Sequence, residues 1–178
     1  MIVVEGPDGA GKTTLIRELS ARYGLEVNER VVSKETNAMF DLKQWVEQNL
    51  NEGFQWKLFD RHRLISEFIY GPVLRKNQRF TDRAWVWNAL RRFQLLSPTI
   101  IYCLPPLEIV RANVMYDDDN TAVAHSIEQI YAGYVHRASL DDLAKHNVIV
   151  WDYTTDGQET DPLRIFDSTM AMARARVN

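Results

Sequence analysis

Residues Gly6-Pro7-Asp8-Gly9-Ala10-Gly11-Lys12-Thr13-Thr14 set one lysine and two hydroxyls directly after a run of small residues. The spacing, G-x-x-x-x-G-K-[ST], suits a phosphate cradle. Its glycines let the backbone curl until several N–H groups point inward at phosphate oxygens, a path that a Cβ would obstruct. Lys12 would reach the β- and γ-phosphates, and the Thr13 hydroxyl would ligate Mg²⁺. Gly6, Asp8, Gly9, Ala10, Gly11, Lys12, Thr13 and Thr14 are therefore the expected contacts to a triphosphate donor, with ATP the expected molecule.

A second anchor follows the apolar run Lys57-Leu58-Phe59, which ends in Asp60-Arg61-His62. An aspartate leaving a strand beside a phosphate loop is placed to hold Mg²⁺, usually through water. The planar fork of Arg61 suits a phosphate. An arbitrary Asp-Arg pair would instead cap the next helix and face solvent. Thr13 and Asp60 are the expected metal ligands, and Lys12, Asp60 and Arg61 the expected catalytic groups. His62 reads as a packed or substrate-edge residue, because a phosphate acceptor needs little acid–base help.

These groups need strands that end together and helices that begin there. The apolar runs Ile2–Glu5, Glu26–Val32, Lys57–Asp60, Thr99–Leu104 and Asn147–Trp151 show little alternation, as expected of parallel strands buried on both faces. Helical patterns lie between them at Lys12–Tyr23, closed by Gly24, and at Phe40–Leu50, Leu64–Tyr70, Asp82–Leu96, Leu107–Tyr116, Ser126–Lys145 and Pro162–Ala175. The alternation predicts a three-layer α/β domain with a five-stranded parallel sheet, one domain over residues 1–178. In such a sheet, ligands gather at the carboxyl ends of the strands. Trp85, Ala89, Phe93 and Leu96 share one helical face and read as a core stripe.

With 178 residues, a net charge of −3 and one cysteine, the composition argues against a general nucleic-acid coat and against an internal disulfide. Cys103, inside an apolar strand, is expected to be a buried thiol. No apolar run approaches the ~18 residues a membrane helix needs. With the first strand at Ile2, the expectation is a soluble, cytoplasmic protein. Within this acidic chain, the segment from Asp60 to Arg92 is basic, carrying Arg61, Arg63, Arg75, Lys76, Arg79, Arg83, Arg91 and Arg92.

The stretch EGPDGAGKTT resembles the start of thymidylate kinases, whose loops read EG-x-[DE]-G-x-GK-[ST]-T, and DRH resembles their DRY or DRF element. Lys34-Glu35 looks like a reduced form of the family's REPG, and Pro98–Pro106 is similar to its PD-x-x-x-x-LD-x-P-P strand. The resemblance implies an ATP- and Mg²⁺-dependent kinase of a deoxynucleoside 5′-monophosphate, with a pyrimidine base preferred. It assigns Asp8 to the acceptor sugar or metal shell, Arg61 and Lys34 to the acceptor phosphate, and Glu35 to metal-bound water or the sugar. It also places the acceptor pocket on the basic helices, where Ser66, Phe68 and Tyr70 are candidates to line the base. Such kinases are often homodimers packed through helices, and the helix carrying Trp85, Trp87 and Phe93 is a candidate face.

One departure is visible. The lid of such kinases usually delivers arginines to the transferring phosphate. Here the lid, residues 116–123, is short, acidic and without arginine, so Arg111 is the nearest upstream cation to act catalytically. Three other readings stay open: a deoxynucleoside kinase with Glu35 as base, a kinase acting on a modified pyrimidine base in DNA, and a nucleotide-binding regulatory module without catalysis.

Overall fold

Val3 and Val4 are wholly buried at the centre of a five-stranded parallel sheet, where each such side chain stabilises the fold by about 1.5–3 kcal/mol relative to exposure. The computed structural model describes residues 1–28, 38–51, 57–75, 80–115, 121–143, 147–155 and 161–167. Its strands are β1 (Ile2–Glu5), β2 (Glu26–Asn28), β3 (Lys57–Asp60), β4 (Thr99–Cys103) and β5 (Asn147–Trp151). The order across the sheet is β2-β3-β1-β4-β5. Val3 of β1 stands between Phe59 of β3 and Ile100 of β4, all three of them buried. The unbroken apolar runs of the sequence thus mark strands covered on both faces.

Among the described residues the sheet is flanked by α1 (Lys12–Tyr23), α2 (Ala38–Asn51), α3 (Arg63–Arg75), α4 (Arg83–Leu95), α5 (Leu107–Met115) and α6 (Thr121–Leu143). Residues 162–167 are also helical. Gly24 closes α1 in the left-handed conformation, as the sequence predicts, and the Asp82 carboxylate caps α4 by accepting the Trp85 N–H. The chain leaves β1 to one side of the sheet and later returns on the other. That reversal sets the loop after β1 among the carboxyl ends of the central strands.

Several element boundaries differ from those read in the sequence. Helix α3 does not stop at Tyr70 but runs through Gly71-Pro72 to Arg75. A proline this close to the helix end removes one N–H, while Val73 and Leu74 still pack against the core. Helix α6 starts at Thr121, five residues before Ser126, because Val123 begins the buried stripe that continues through Ile127, Ile130, Tyr134 and Ala138. Strand β4 ends at Cys103, although the Leu104 N–H still bonds the Trp151 carbonyl at 2.8 Å. The segment 29–37, which includes the rest of the second predicted strand, and residues 116–120 of the predicted lid lie outside the described residues.

The α4 stripe packs as expected, with Ala89 and Phe93 buried. Trp85, Trp87 and Phe93 do not share one side of this helix, however. Phe93 points into the core and the Trp85 indole donates to Glu47, whereas Trp87, on the far side of the helix, is 73% exposed.

Helices α3 and α6 meet closely at Gly133, where an added Cβ would lie 2.9 Å from Cγ2 of Ile69. Alanine would favour the helix by about 1 kcal/mol, but Ile69 is β-branched and buried and has little room to yield. Overpacking of this kind costs about 1–3 kcal/mol. Gly133→Ala is therefore expected to lower stability by about 1 kcal/mol, read as a fall of about 3 °C in a thermal unfolding curve.

Candidate active site

The loop between β1 and α1 wraps a cavity of about 340 Å³ lined by Asp8 to Thr14 together with Asp60, Arg61 and Asn113. Gly6 enters the loop at φ +142, and a Cβ there would stand 2.5 Å from the Cys103 carbonyl oxygen. Gly11 caps α1 at φ +79, with the Tyr153 ring 2.9 Å from where its Cβ would be. Both positions require glycine. The first turn of α1 leaves its N–H groups facing the cavity, and the helix dipole favours an anion there.

Lys12 is buried, and its ammonium donates to the Pro7 carbonyl at 2.6 Å. Burial, and after it the Arg61 charge, pulls the Lys12 pKa down to about 8. A bound polyphosphate would replace that carbonyl as partner and restore the charge. Thr13 and Asp60 bring one hydroxyl and one carboxylate to the same cavity, a pair of hard oxygen donors that fits Mg²⁺. Among the described residues no group of three or more His, Cys, Asp or Glu could hold an ion by itself. Most ligands of such an ion would come from water and substrate phosphate.

Arg61 forms the opposite wall. Its φ is +64, a left-handed backbone that costs a non-glycine residue about 1–2 kcal/mol. The Arg61 N–H bonds the Val4 carbonyl at 3.0 Å, extending the β1–β3 ladder by one step. From this turn the buried guanidinium donates to the Gly6 carbonyl, to Asp8 Oδ1 at 2.8 Å and to the Tyr70 hydroxyl at 2.7 Å. The Tyr70 hydroxyl in turn donates to Asp8 Oδ2 at 2.8 Å. Burial alone would raise the Asp8 carboxyl, but the Arg61 and Lys12 charges and these hydrogen bonds outweigh it and hold Asp8 well below the usual carboxylate range.

Arg61 also borders a second, smaller cavity of about 60 Å³ with Arg63, Ser66, Glu67, Tyr70, Leu74 and Arg75. Glu67 is buried at its edge and accepts from Arg75 at 2.5 Å. Of the residues read as acceptor contacts, the structure brings Asp8, Arg61, Ser66 and Tyr70 together. Phe68 lies on another face of α3, with its ring 6.0 Å from that of Phe80. Lys34 and Glu35 lie outside the described residues. Arg111 is not among the groups lining the loop cavity; it is ion-paired with Glu128 across α5 and α6.

Four residues of the site were not picked out in the sequence. Asn113 on α5 donates to the Gly9 carbonyl at 2.8 Å and to the Tyr153 hydroxyl at 3.3 Å. Glu5 is wholly buried behind the loop and accepts from the His62 N–H and from the Tyr134 hydroxyl. A carboxylate in an otherwise apolar strand was a legible signal for Glu5. Nothing local distinguishes Asn113 or Tyr153, and Tyr134 reads as one more member of an apolar helical stripe.

His62 is packed, not catalytic in placement. It sits among Trp45, Phe59 and Phe93, with the Phe93 ring centroid 4.6 Å away, and its Nε2 has no hydrogen-bond partner among the described residues. Burial, helped by the Arg63 charge, pulls its pKa down to about 3. Cys103 is likewise buried, and burial pushes its thiol up to about 12.

No protein-family model matches the chain, and no curated protein sequence matches it. Among solved structures the fold is similar to the YorR protein of Bacillus subtilis in complex with phosphorylated GDP, at 15% identity and TM-score 0.68, over 98% of this chain and 97% of that one. It is also similar to deoxyadenosine kinase from M. mycoides with bound dCTP, at 17% identity and TM-score 0.58, over 96% of this chain and 100% of that one. The same enzyme with bound dATP gives 16% identity and TM-score 0.59, over 94% and 97% of the two chains. At these identities the shared property is the fold, a five-stranded parallel sheet flanked by helices.

The buried groups dictate opposite pH dependences. Unfolded, His62 takes up a proton as pH falls through 6.5; folded, it resists until about 3, so stability is lost as pH falls across that window. Glu5 is raised by burial to about 7 against an ordinary 4.5, so its contribution is present at low pH and lost as pH rises through about 7. His62→Phe removes the first effect alone. Compared by urea unfolding from pH 7 to pH 4, the variant is expected to gain on the parent by about 1.4 kcal/mol per pH unit below about pH 6.

Proposed function

We propose that this protein transfers the γ-phosphoryl group of ATP, with Mg²⁺, to the 5′-phosphate of a deoxynucleoside monophosphate, pyrimidine preferred. The observation that carries the reading is the position of Arg61. Its guanidinium borders both the loop cavity and a second cavity that Arg63 and Arg75 also line, which supports a second anion on the far side of the site. A cavity of about 60 Å³ is on the scale of a phosphate group rather than a base.

The chemistry is chiefly positioning. The loop N–H groups and Lys12 hold the donor phosphates, and Thr13 and Asp60 would hold the ion that neutralises charge between the phosphoryl oxygens. Arg61 presents the acceptor phosphate in line with the donor. Asp8 and Tyr70 keep the guanidinium aimed before substrate arrives.

A second reading, a deoxynucleoside kinase, is favoured by the fold likeness to deoxyadenosine kinase. Its hydroxyl acceptor needs a general base. The carboxylate read for that role, Glu35, lies outside the described residues; Asp8, held ionised by Arg61, is a weak base, and a phosphate acceptor needs none. The monophosphate therefore stands first.

Incubating the protein with ATP and Mg²⁺ against the common deoxynucleosides and their 5′-monophosphates separates the two by product. Diphosphate formation, strongest with thymidylate or another pyrimidine, is the expected outcome. Lys12→Ala is expected to reduce turnover by about a thousandfold or more. Arg61→Ala is expected to raise the acceptor KM far more than the ATP KM. Monophosphate formation from nucleosides alone would replace this reading with the second. Tight ATP binding without transfer to any acceptor would leave a binding module.

A further inference from the structure

Glu5 carries a carboxylate to the end of β1 and exposes none of its surface, yet the transfer chemistry above has no task for it. Its two oxygens divide between two elements. Oε1 accepts the His62 N–H at 2.6 Å, and Oε2 accepts the Tyr134 hydroxyl of α6 at 3.0 Å.

The first of these bonds falls at a telling place. His62 supplies the peptide N–H immediately after the left-handed Arg61, where the parallel ladder has just ended with Arg61 N–H on Val4 O. The Glu5 side chain thus takes the next N–H after the last ladder bond. It closes the turn from which Arg61 reaches Gly6, Asp8 and Tyr70. A left-handed non-glycine residue persists only where its surroundings over-determine it, and this carboxylate is a main part of those surroundings. The second bond joins the same turn to α6. Tyr134 also lies edge-on to Tyr70, with ring centroids 6.1 Å apart, so α6 supports the guanidinium by two routes.

We propose that Glu5 is a positioning residue for Arg61, fixing the turn that aims the guanidinium and tying that turn through Tyr134 to α6, the helix that follows the predicted lid segment. Its kinetic consequence rests on the assignment of Arg61 to the acceptor phosphate. The structural part, control of the turn, does not.

Three variants and two measurements test it. Glu5→Leu removes both acceptors at similar volume, Glu5→Gln keeps an oxygen for the His62 N–H, and Tyr134→Phe removes only the link to α6. Steady-state rates with ATP and thymidylate read the aim of Arg61; amide hydrogen exchange of Arg61 and His62 by NMR reads the turn itself. With Glu5→Leu the thymidylate KM is expected to rise about tenfold or more while the ATP KM stays within about twofold. The His62 amide is expected to exchange about tenfold faster, with Ile101 in β4 little changed. Glu5→Gln is expected to return both readouts to within about threefold of the parent, because its oxygen still accepts from His62. Tyr134→Phe shifts both in the same direction as Glu5→Leu but less, and it carries the test if the leucine variant does not fold.

Equal rises in the two KM values, or His62 exchange that accelerates only in step with the rest of the sheet, would mark Glu5 as ordinary core and overturn the proposal. If the parent protein phosphorylates no thymidylate, the functional reading fails while the exchange measurement still decides whether Glu5 holds the turn.

Discussion

A guanidinium with almost no exposed surface must be matched by acceptors on every side, and Arg61 imposes that demand on the whole site. Desolvating such a charge costs several kcal/mol, and removing a single partner of a buried pair typically costs about 3–5 kcal/mol. The acceptors come from the loop after β1, as the Gly6 carbonyl and Asp8, and from α3, as Tyr70. Arginine is suited to this place because its rigid fork serves several acceptors at once, whereas an ammonium would act as a point charge. Satisfying Arg61 therefore fixes the loop, the end of β3 and the middle of α3 against one another before any ligand binds.

That arrangement explains how an acidic protein can present a basic working surface. Lys12 and Arg61 face one cavity, and Asp8 lies between them as their shared counter-charge. A bound anion would put its oxygens in place of the Pro7 carbonyl on Lys12 without leaving either cation stranded. The fold supplies the rest by geometry. Parallel strands end at one edge, and the helix following the first of them points its positive terminus at the same spot.

Much of this was legible in the sequence, because it rests on local pattern. The unalternating runs gave the five strands, and the glycine spacing gave the loop and its lysine. Asp60-Arg61 stood out because it follows a strand at a suitable distance from the loop. What the sequence hid depends on which helix faces which. Tyr134 lies 129 residues from Glu5, and Asn113 lies 104 residues from Gly9, so no local pattern links them. The same holds for Arg111, whose pairing with Glu128 depends on the approach of two helices. Element ends failed where tertiary packing outweighed punctuation: Pro72 does not stop α3, because Val73 and Leu74 still find the core. The aromatic packing of His62 likewise draws on three separate elements, α2, β3 and α4.

The Asn113 amide has a mechanical consequence. One of its protons is on the Gly9 carbonyl and the other on the Tyr153 hydroxyl, whose ring covers Gly11. Helix α5 is thereby pinned at two points to the rim of the phosphate cradle. A rigid swing of α5 away from the sheet breaks both bonds and uncovers Gly11, whereas a rotation of the helix about Asn113 preserves them. The first movement loosens the loop around its cavity and the second does not. Asn113 thus couples an outward swing of α5 to slackening of the loop, while rotation about Asn113 stays uncoupled from it.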